Sequence, residues 1–296
     1  MTTDARGPDA SALRKTVARA LAEDRAHHDV TTRALVAPDQ QGRGGFLLKQ
    51  PGIICGMEVV RETFAQLSPE LSLHVLTPDG TLAEGGQLIA EVSGPLAPML
   101  SGERVALNFM QRLSGIATLT DRFVRAAREG GAAEVLDTRK TTPGLRDLER
   151  YAVRTGGARN HRNTLEDGVL IKDNHIAAAA LRGVDLAALV EEARWRAAHT
   201  LRVEVEADTA EQAEAAIAAG AEIVMLDNMS PAQMRKIVDH APDKVLFEAS
   251  GGITLETVGA VAASGVQLIS VGALTHSAPA LDISLEVESL EGEASA

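Results

Sequence analysis

The chain reads as an α/β protein in two parts, a small N-terminal α/β sandwich domain followed by a barrel of parallel strands. Three features predict this. Between Gly42 and Gly94, short β-prone runs are broken by glycine around one helical stretch. From Ala133 onward strand and helix alternate, with the last strand ends about 21 to 23 residues apart, and such regular alternation with right-handed crossovers closes most naturally into a barrel. No Gly-x-Gly-x-x-Gly turn follows any of these strands, which leaves the doubly wound open sheet as runner-up.

Taken in order, Met1 to Ala10 is expected to be a frayed tail, and Leu13, Val17 and Leu21 place a helix over 12–22. Asp29 to Thr32 is a turn or cap. Strands are placed at 45–49, 52–55, 71–76 and 87–92 with a helix at 58–67, and Asp79-Gly80 and Gly85-Gly86 mark turns. Ser101 is read as the cap of a long helix carrying Val105, Phe109, Leu113 and Ile116 and continuing to Arg128. Residues 1–118 are assigned to the sandwich and 119–278 to the barrel that carries the active site. Barrel strands fall at 134–138, 168–172, 202–206, 222–227, 244–249 and 267–271, and helices at 178–199, 209–219, 230–240 and 254–264. Ile283 to Val287 alternates apolar and polar, so 279–290 is expected to return to the first domain as an edge strand, with Glu291 to Ala296 disordered.

Composition narrows the classes. Aromatics are 2% of the 296 residues, so Ala, Val, Leu and Ile must build the core. A single cysteine, Cys55, excludes an intrachain disulfide and is read as a buried strand residue in a reducing compartment. No apolar run is long enough to span a bilayer, and the N-terminus lacks a signal-peptide core, so a cytoplasmic location and no membrane partner are expected. A net charge of -12 with so few aromatics also argues against nucleic acid as partner.

Against that acidic background, residues 139–172 carry eight Lys/Arg (139, 140, 146, 150, 154, 159, 162 and 172) and four acids. Such a local surplus suits a polyanionic small molecule. The plain alternative is a solvated basic helix face. It is set aside because cations fall at the ends of the apolar runs Val135-Leu136 and Val169-Leu170-Ile171, where strands would stop.

Reactive groups of a parallel barrel lie at the C-terminal ends of strands. Those ends supply Asp137, Arg139 and Lys140, then Lys172, Glu206, Asp227, Glu248 with Ser250, and Gly272, so cations come from one side and carboxylates from the other. Glu204 and Glu206 share a strand face, with Glu206 nearer the end and Glu204 a layer deeper. Glu206 and Asp227 are candidate Mg²⁺ ligands, since that ion takes one or two carboxylates beside phosphates. The alternative is that they merely neutralise barrel lysines. Ser250-Gly251-Gly252 and Gly272-Ala273 would expose N–H groups to phosphate, with His276 as a further donor or a plain loop residue.

Several linked segments resemble the quinolinate phosphoribosyltransferase family. They are Asp137-Thr138-Arg139-Lys140-Thr141-Thr142-Pro143-Gly144, Asn160-His161-Arg162, Ile171-Lys172-Asp173-Asn174-His175, Leu226-Asp227-Asn228 and Glu248-Ala249-Ser250-Gly251-Gly252-Ile253. The likeness extends through Gly102-Glu103-Arg104 and Asn108, and it departs at Ala158, where many members have glycine. The resemblance implies an incomplete barrel and a head-to-tail homodimer in which Arg104 enters the partner's site. It implies quinolinate and phosphoribosyl pyrophosphate as substrates, with Mg²⁺, and nicotinate mononucleotide, pyrophosphate and CO₂ as products. Lys140, Lys172, Glu206 and Asp227 would be catalytic. Arg104, Thr138, Arg139, Lys140, His161, Arg162, Lys172, Ser250, Gly251, Gly252, Gly272, Ala273, Leu274 and His276 would bind substrate.

Three rivals remain: a Schiff-base aldolase using Lys172, a non-catalytic phosphate-ligand sensor, and a family relative associated with molybdenum transport. The sensor would have little use for Glu206 and Asp227.

Overall fold

The computed structural model describes residues 7–289 of the 296. The tail expectations for the first six residues and for Glu291 to Ala296 lie outside them. Among the described residues two compact units emerge, one of 7–121, 141–157 and 274–289, the other of 122–140 and 158–273. The linear division expected from sequence therefore misses that Thr141 to Gly157 groups with the first unit. Among the described residues no helix is long and apolar enough to cross a membrane.

The first unit begins with α1 (Ala10–Glu23), which starts where Asp9 accepts from the Ala12 N–H and buries Leu13, Val17 and Leu21. Asp29 then caps α2 (Val30–Leu35). Next come β1 (Gln41–Leu48), β2 (Gly52–Ile53), α3 (Met57–Leu67), β3 (Ser72–Val75), β4 (Leu82–Ala83) and β5 (Leu88–Pro95). Cys55 is buried as expected but lies between β2 and α3, not in a strand. Helix α3 has glycine at its N-cap, so its capping carboxylate is distant: Asp79 accepts from the Gly56 and Met57 N–H groups.

Helix α4 (Leu96–Gly130) starts five residues before the expected cap. Ser101 lies inside it and donates its hydroxyl to Asp29. After the second unit the chain returns as β12 (Ile283–Ser289), antiparallel to β1, giving the sheet order β12-β1-β5-β3. Phe46, Phe64, Ile89, Met110 and Ile283 belong to one buried cluster on this sheet.

The remaining elements are β6 (Glu134–Leu136), α5 (Arg146–Thr155), β7 (Val169–Ile171), α6 (Asp173–Ala180), α7 (Leu186–Arg196), β8 (Val203–Ala207), α8 (Ala210–Ala218), β9 (Ile223–Asp227), α9 (Pro231–His240), β10 (Leu246–Ser250), α10 (Val258–Ala262), β11 (Leu268–Ser270) and α11 (Ala273–His276). The single helix expected over 178–199 is two, parted by a turn with Gly183 at φ 73° and restarted by Asp185. Six parallel strands run in the order β6-β11-β10-β9-β8-β7. First and last strands are neighbours, which is a barrel's cyclic order, while β6 and β7 form the two edges. The barrel is therefore incomplete.

Candidate active site

Parallel register brings the strand ends to one rim. Ile171 pairs with Val205, Glu206 with Met225, and Asp227 with Ser250. A cavity of about 500 Å³ lies there, lined by Thr138, Arg139, Lys140, His161, Arg162, Lys172, Glu206, Asp227 and Ser250, with Glu248 and Ser270 deeper. Nine candidates from well-separated sequence positions thus share one space.

Its cationic side gathers Arg139, Lys140 and Arg162. Arg139 is half-buried, and its Nε is enclosed without a hydrogen-bond partner. A buried donor left unmatched costs roughly 1–3 kcal/mol, which an acceptor on a ligand would recover. Arg162 donates from Nη1 to the Gly168 carbonyl at 3.0 Å. Burial and then the neighbouring Arg139 charge hold the Arg162 guanidinium below its ordinary value, so the two forks repel. An anion shared between them would relieve that repulsion. Lys140 is more exposed, and its N–H donates to the Thr138 hydroxyl at 3.1 Å.

On the other side, Lys172 Nζ donates to Glu206 Oε2 at 2.6 Å. Strands β7 and β8 are neighbours, so Lys172 stands beside a carboxylate instead of across the cavity from it. The expected division into opposed rims is corrected accordingly: the rims meet at this pair. An ammonium held as an ion-pair donor is also a poor start for a Schiff base. Asp227 accepts from the Asn228 amide at 2.6 Å, with Asn228 in the left-handed region at φ 55°. Glu206, Asp208 and Asp227 each present an oxygen within 4.8 Å of the others.

Beneath lies a second cluster. His161 Nε2 stands 3.5 Å from Glu204 and 3.4 Å from Glu248, both buried. Burial opposes charge on the ring, but the two carboxylates outweigh it and push its pKa up. The Arg162 N–H donates to Nδ1 at 2.7 Å, which requires that nitrogen to be unprotonated; in this geometry the ring is neutral with its proton on Nε2, facing the carboxylates, despite their pull toward the charged form. Burial and then Glu248 raise the Glu204 carboxyl, against the opposing effect of His161. Asp137, expected at the rim, is wholly buried; it accepts from Asn160 Nδ2 at 2.6 Å and His161 N–H at 2.9 Å, and so holds the Asn160-His161-Arg162 segment.

Comparison with known proteins reaches the same place. The family model for the quinolinate phosphoribosyl transferase C-terminal domain matches residues 116–286, and that for the N-terminal domain matches 29–114. The chain belongs to the quinolinate phosphoribosyl transferase family. It is 44% identical to a probable nicotinate-nucleotide pyrophosphorylase (carboxylating) of Bacillus subtilis, over 93% of each chain. The chloroplastic enzyme of Arabidopsis thaliana is 40% identical, over 93% of this chain and 83% of its own. The solved nicotinate-nucleotide pyrophosphorylase of Francisella tularensis superposes with a TM-score of 0.90 at 36% identity, covering 97% of this chain and 100% of that one. These names do not favour the molybdenum-transport alternative.

For this family member, several sequence candidates stand elsewhere. Arg104 is exposed on α4. Gly251 and Gly252 form the turn after β10 with φ 87° and 61°. Gly272 and Ala273 follow β11, but the Leu274 side chain is wholly buried, so it serves packing and only its backbone is left for a ligand. His276 is exposed, with its ring against Ser277. The cation surplus also divides. Arg146, Arg150 and Arg154 sit one turn apart on α5, and Arg159 pairs with Glu134, so four of the eight do not line this cavity. Helical spacing, set aside from sequence, accounts for three of them. Sequence reasoning missed Asp208, although its two-residue spacing from Glu206 was a usable signal. It also missed the contact of Glu204 and Glu248 with His161, which no local pattern encodes.

Proposed function

We propose that this chain transfers the phosphoribosyl group of phosphoribosyl pyrophosphate to quinolinate with loss of CO₂, giving nicotinate mononucleotide and pyrophosphate in NAD biosynthesis. The observation that carries the reading is the cavity itself, where Arg139 and Arg162 stand together and Glu206, Asp208 and Asp227 gather at the same rim. Quinolinate is a planar dicarboxylate, and two guanidinium forks match it in shape and charge. Lys140 and Thr138 extend that surface, and the half-exposed Lys172 joins it to the acidic group.

The three gathered carboxylates are hard oxygen donors, a set that fits Mg²⁺. When bound, the ion would neutralise charge on the departing pyrophosphate. The protein groups position the rest. The pyridine nitrogen lone pair bonds to the ribose carbon as that carbon's bond to pyrophosphate oxygen breaks, the electron pair leaving with pyrophosphate. The ring-to-carboxylate bond next to the new cationic nitrogen then breaks, CO₂ leaves, and the retained pair takes a proton from solvent. No protein nucleophile is needed, and the contribution of Arg139 and Arg162 is orientation and charge.

The same reading takes the protein as cytoplasmic and as a homodimer in which Arg104, exposed on α4, serves the neighbouring copy's site. Incubation with quinolinate, phosphoribosyl pyrophosphate and Mg²⁺ should release CO₂ from the substrate carboxyl. Release that does not depend on both organic substrates, or no release at all, would end the proposal.

A further inference from the structure

Glu149 on α5 is wholly buried, yet both its oxygens are in use. Oε1 accepts from Arg112 Nη2 at 2.8 Å, from Arg112 Nε at 3.2 Å and from the Thr142 hydroxyl at 2.7 Å. Oε2 accepts the Thr142 N–H at 3.0 Å. Arg112, on α4, donates onward from Nη1 to the Ala278 carbonyl at 3.1 Å and from Nη2 to the Thr275 carbonyl. One fork therefore fastens two segments far apart in sequence.

Both are chain segments leaving the barrel rim. Thr142 comes two residues after Lys140, and Thr275 comes directly after Gly272-Ala273-Leu274. These are two of the four points at which the chain passes between its compact units. A buried ion pair is no strong source of stability, because desolvation offsets much of its Coulomb energy. Geometry is what it supplies: a planar guanidinium with fixed donor directions holds each acceptor at a set angle. Nothing in local helix chemistry calls for a charge at Arg112, in the middle of α4.

We propose that Arg112 and Glu149 are positioning residues which hold the Thr138 to Thr142 segment and the Gly272 to Thr275 segment in fixed register. One clamp thereby sets both the groups that grip the pyridine dicarboxylate and those that meet phosphate. The inference rests on the reaction proposed above.

Steady-state kinetics on two single variants and on a Glu149 variant with and without Thr142→Val test it, each with both substrates varied. Thr142→Val keeps shape and removes the hydroxyl link without stranding a charge. It should raise the KM for quinolinate about tenfold, the loss of one charge-assisted hydrogen bond, and leave the KM for phosphoribosyl pyrophosphate within about twofold. Arg112→Lys keeps charge but loses the fork to both segments, and should raise both KM values about tenfold. In a Glu149→Met background, which offers no acceptor oxygen, Thr142→Val should add little, because the link is already lost. A merely structural pair would move the thermal midpoint and not this substrate-selective split. Folded Thr142→Val and Arg112→Lys proteins with wild-type KM values would overturn the clamp while leaving the reaction standing. Wild-type protein that releases no CO₂ would defeat the reaction, and the clamp's stated role with it.

Discussion

Replacing Arg139 by lysine keeps the charge and removes the planar fork. In the structure its Nε is enclosed and unmatched, and its charge already depresses the Arg162 guanidinium nearby. Lysine would keep a point charge in that field but could not place two parallel donors on one carboxylate. Each hydrogen bond to a charged group contributes about 1.5–3 kcal/mol, so losing one of them corresponds to roughly a ten- to hundredfold weaker quinolinate complex. Phosphoribosyl pyrophosphate, whose expected contacts are the Gly251-Gly252 turn and the acidic group, should change by less than about threefold. Equilibrium titration of each substrate alone on wild type and Arg139→Lys measures both. Equal weakening of the two substrates would refute the assignment of Arg139 to quinolinate, and so would an unchanged quinolinate affinity.

Three further outcomes are expected. Glu206→Ala and Asp227→Ala should each lower kcat by about a hundredfold or more and shift the Mg²⁺ dependence of the initial rate to higher concentration; rates still saturating at the wild-type Mg²⁺ concentration would remove them from the proposed Mg²⁺ site. Gly251→Ala would place a Cβ 2.3 Å from Asn228 Oδ1 at φ 87°, so it should cost about 1–3 kcal/mol and disturb the Asn228 bond to Asp227, lowering kcat/KM in protein that still folds. Gly115→Ala lies within α4, where helix propensity alone predicts a gain of about 1 kcal/mol. Its Cβ would stand 2.0 Å from the Pro279 carbonyl, so urea unfolding should instead show a loss of about 1–3 kcal/mol.

Much of the fold was legible because it is written in short-range periodicity. The six barrel strands lie within a few residues of their expected places, and Leu13, Val17 and Leu21 mark α1 directly. Errors occurred where a distant partner did the work of a local one. Ser101 looks like a helix cap, yet α4 begins at Leu96 and Ser101 bonds to Asp29 instead. Gly56 gives no sign of a cap because the carboxylate that serves α3 is Asp79. The site followed the same rule: Arg139, Lys172, Glu206 and Asp227 were found as charges at strand ends, whereas the support for His161 by Glu204 and Glu248 depends on three separate segments meeting.

By itself, then, the sequence determined the alternation of strands and helices, the glycine turns, and which charged residues end each barrel strand, because side-chain period and backbone stereochemistry act over a few residues. Tertiary structure alone decided that Lys172 pairs with Glu206, that Arg146, Arg150 and Arg154 share one helix and do not line the cavity, and that Thr142 and Thr275 share one arginine. Those outcomes turn on strand order and register, which bring residues distant in the chain within hydrogen-bond reach and which no local pattern specifies.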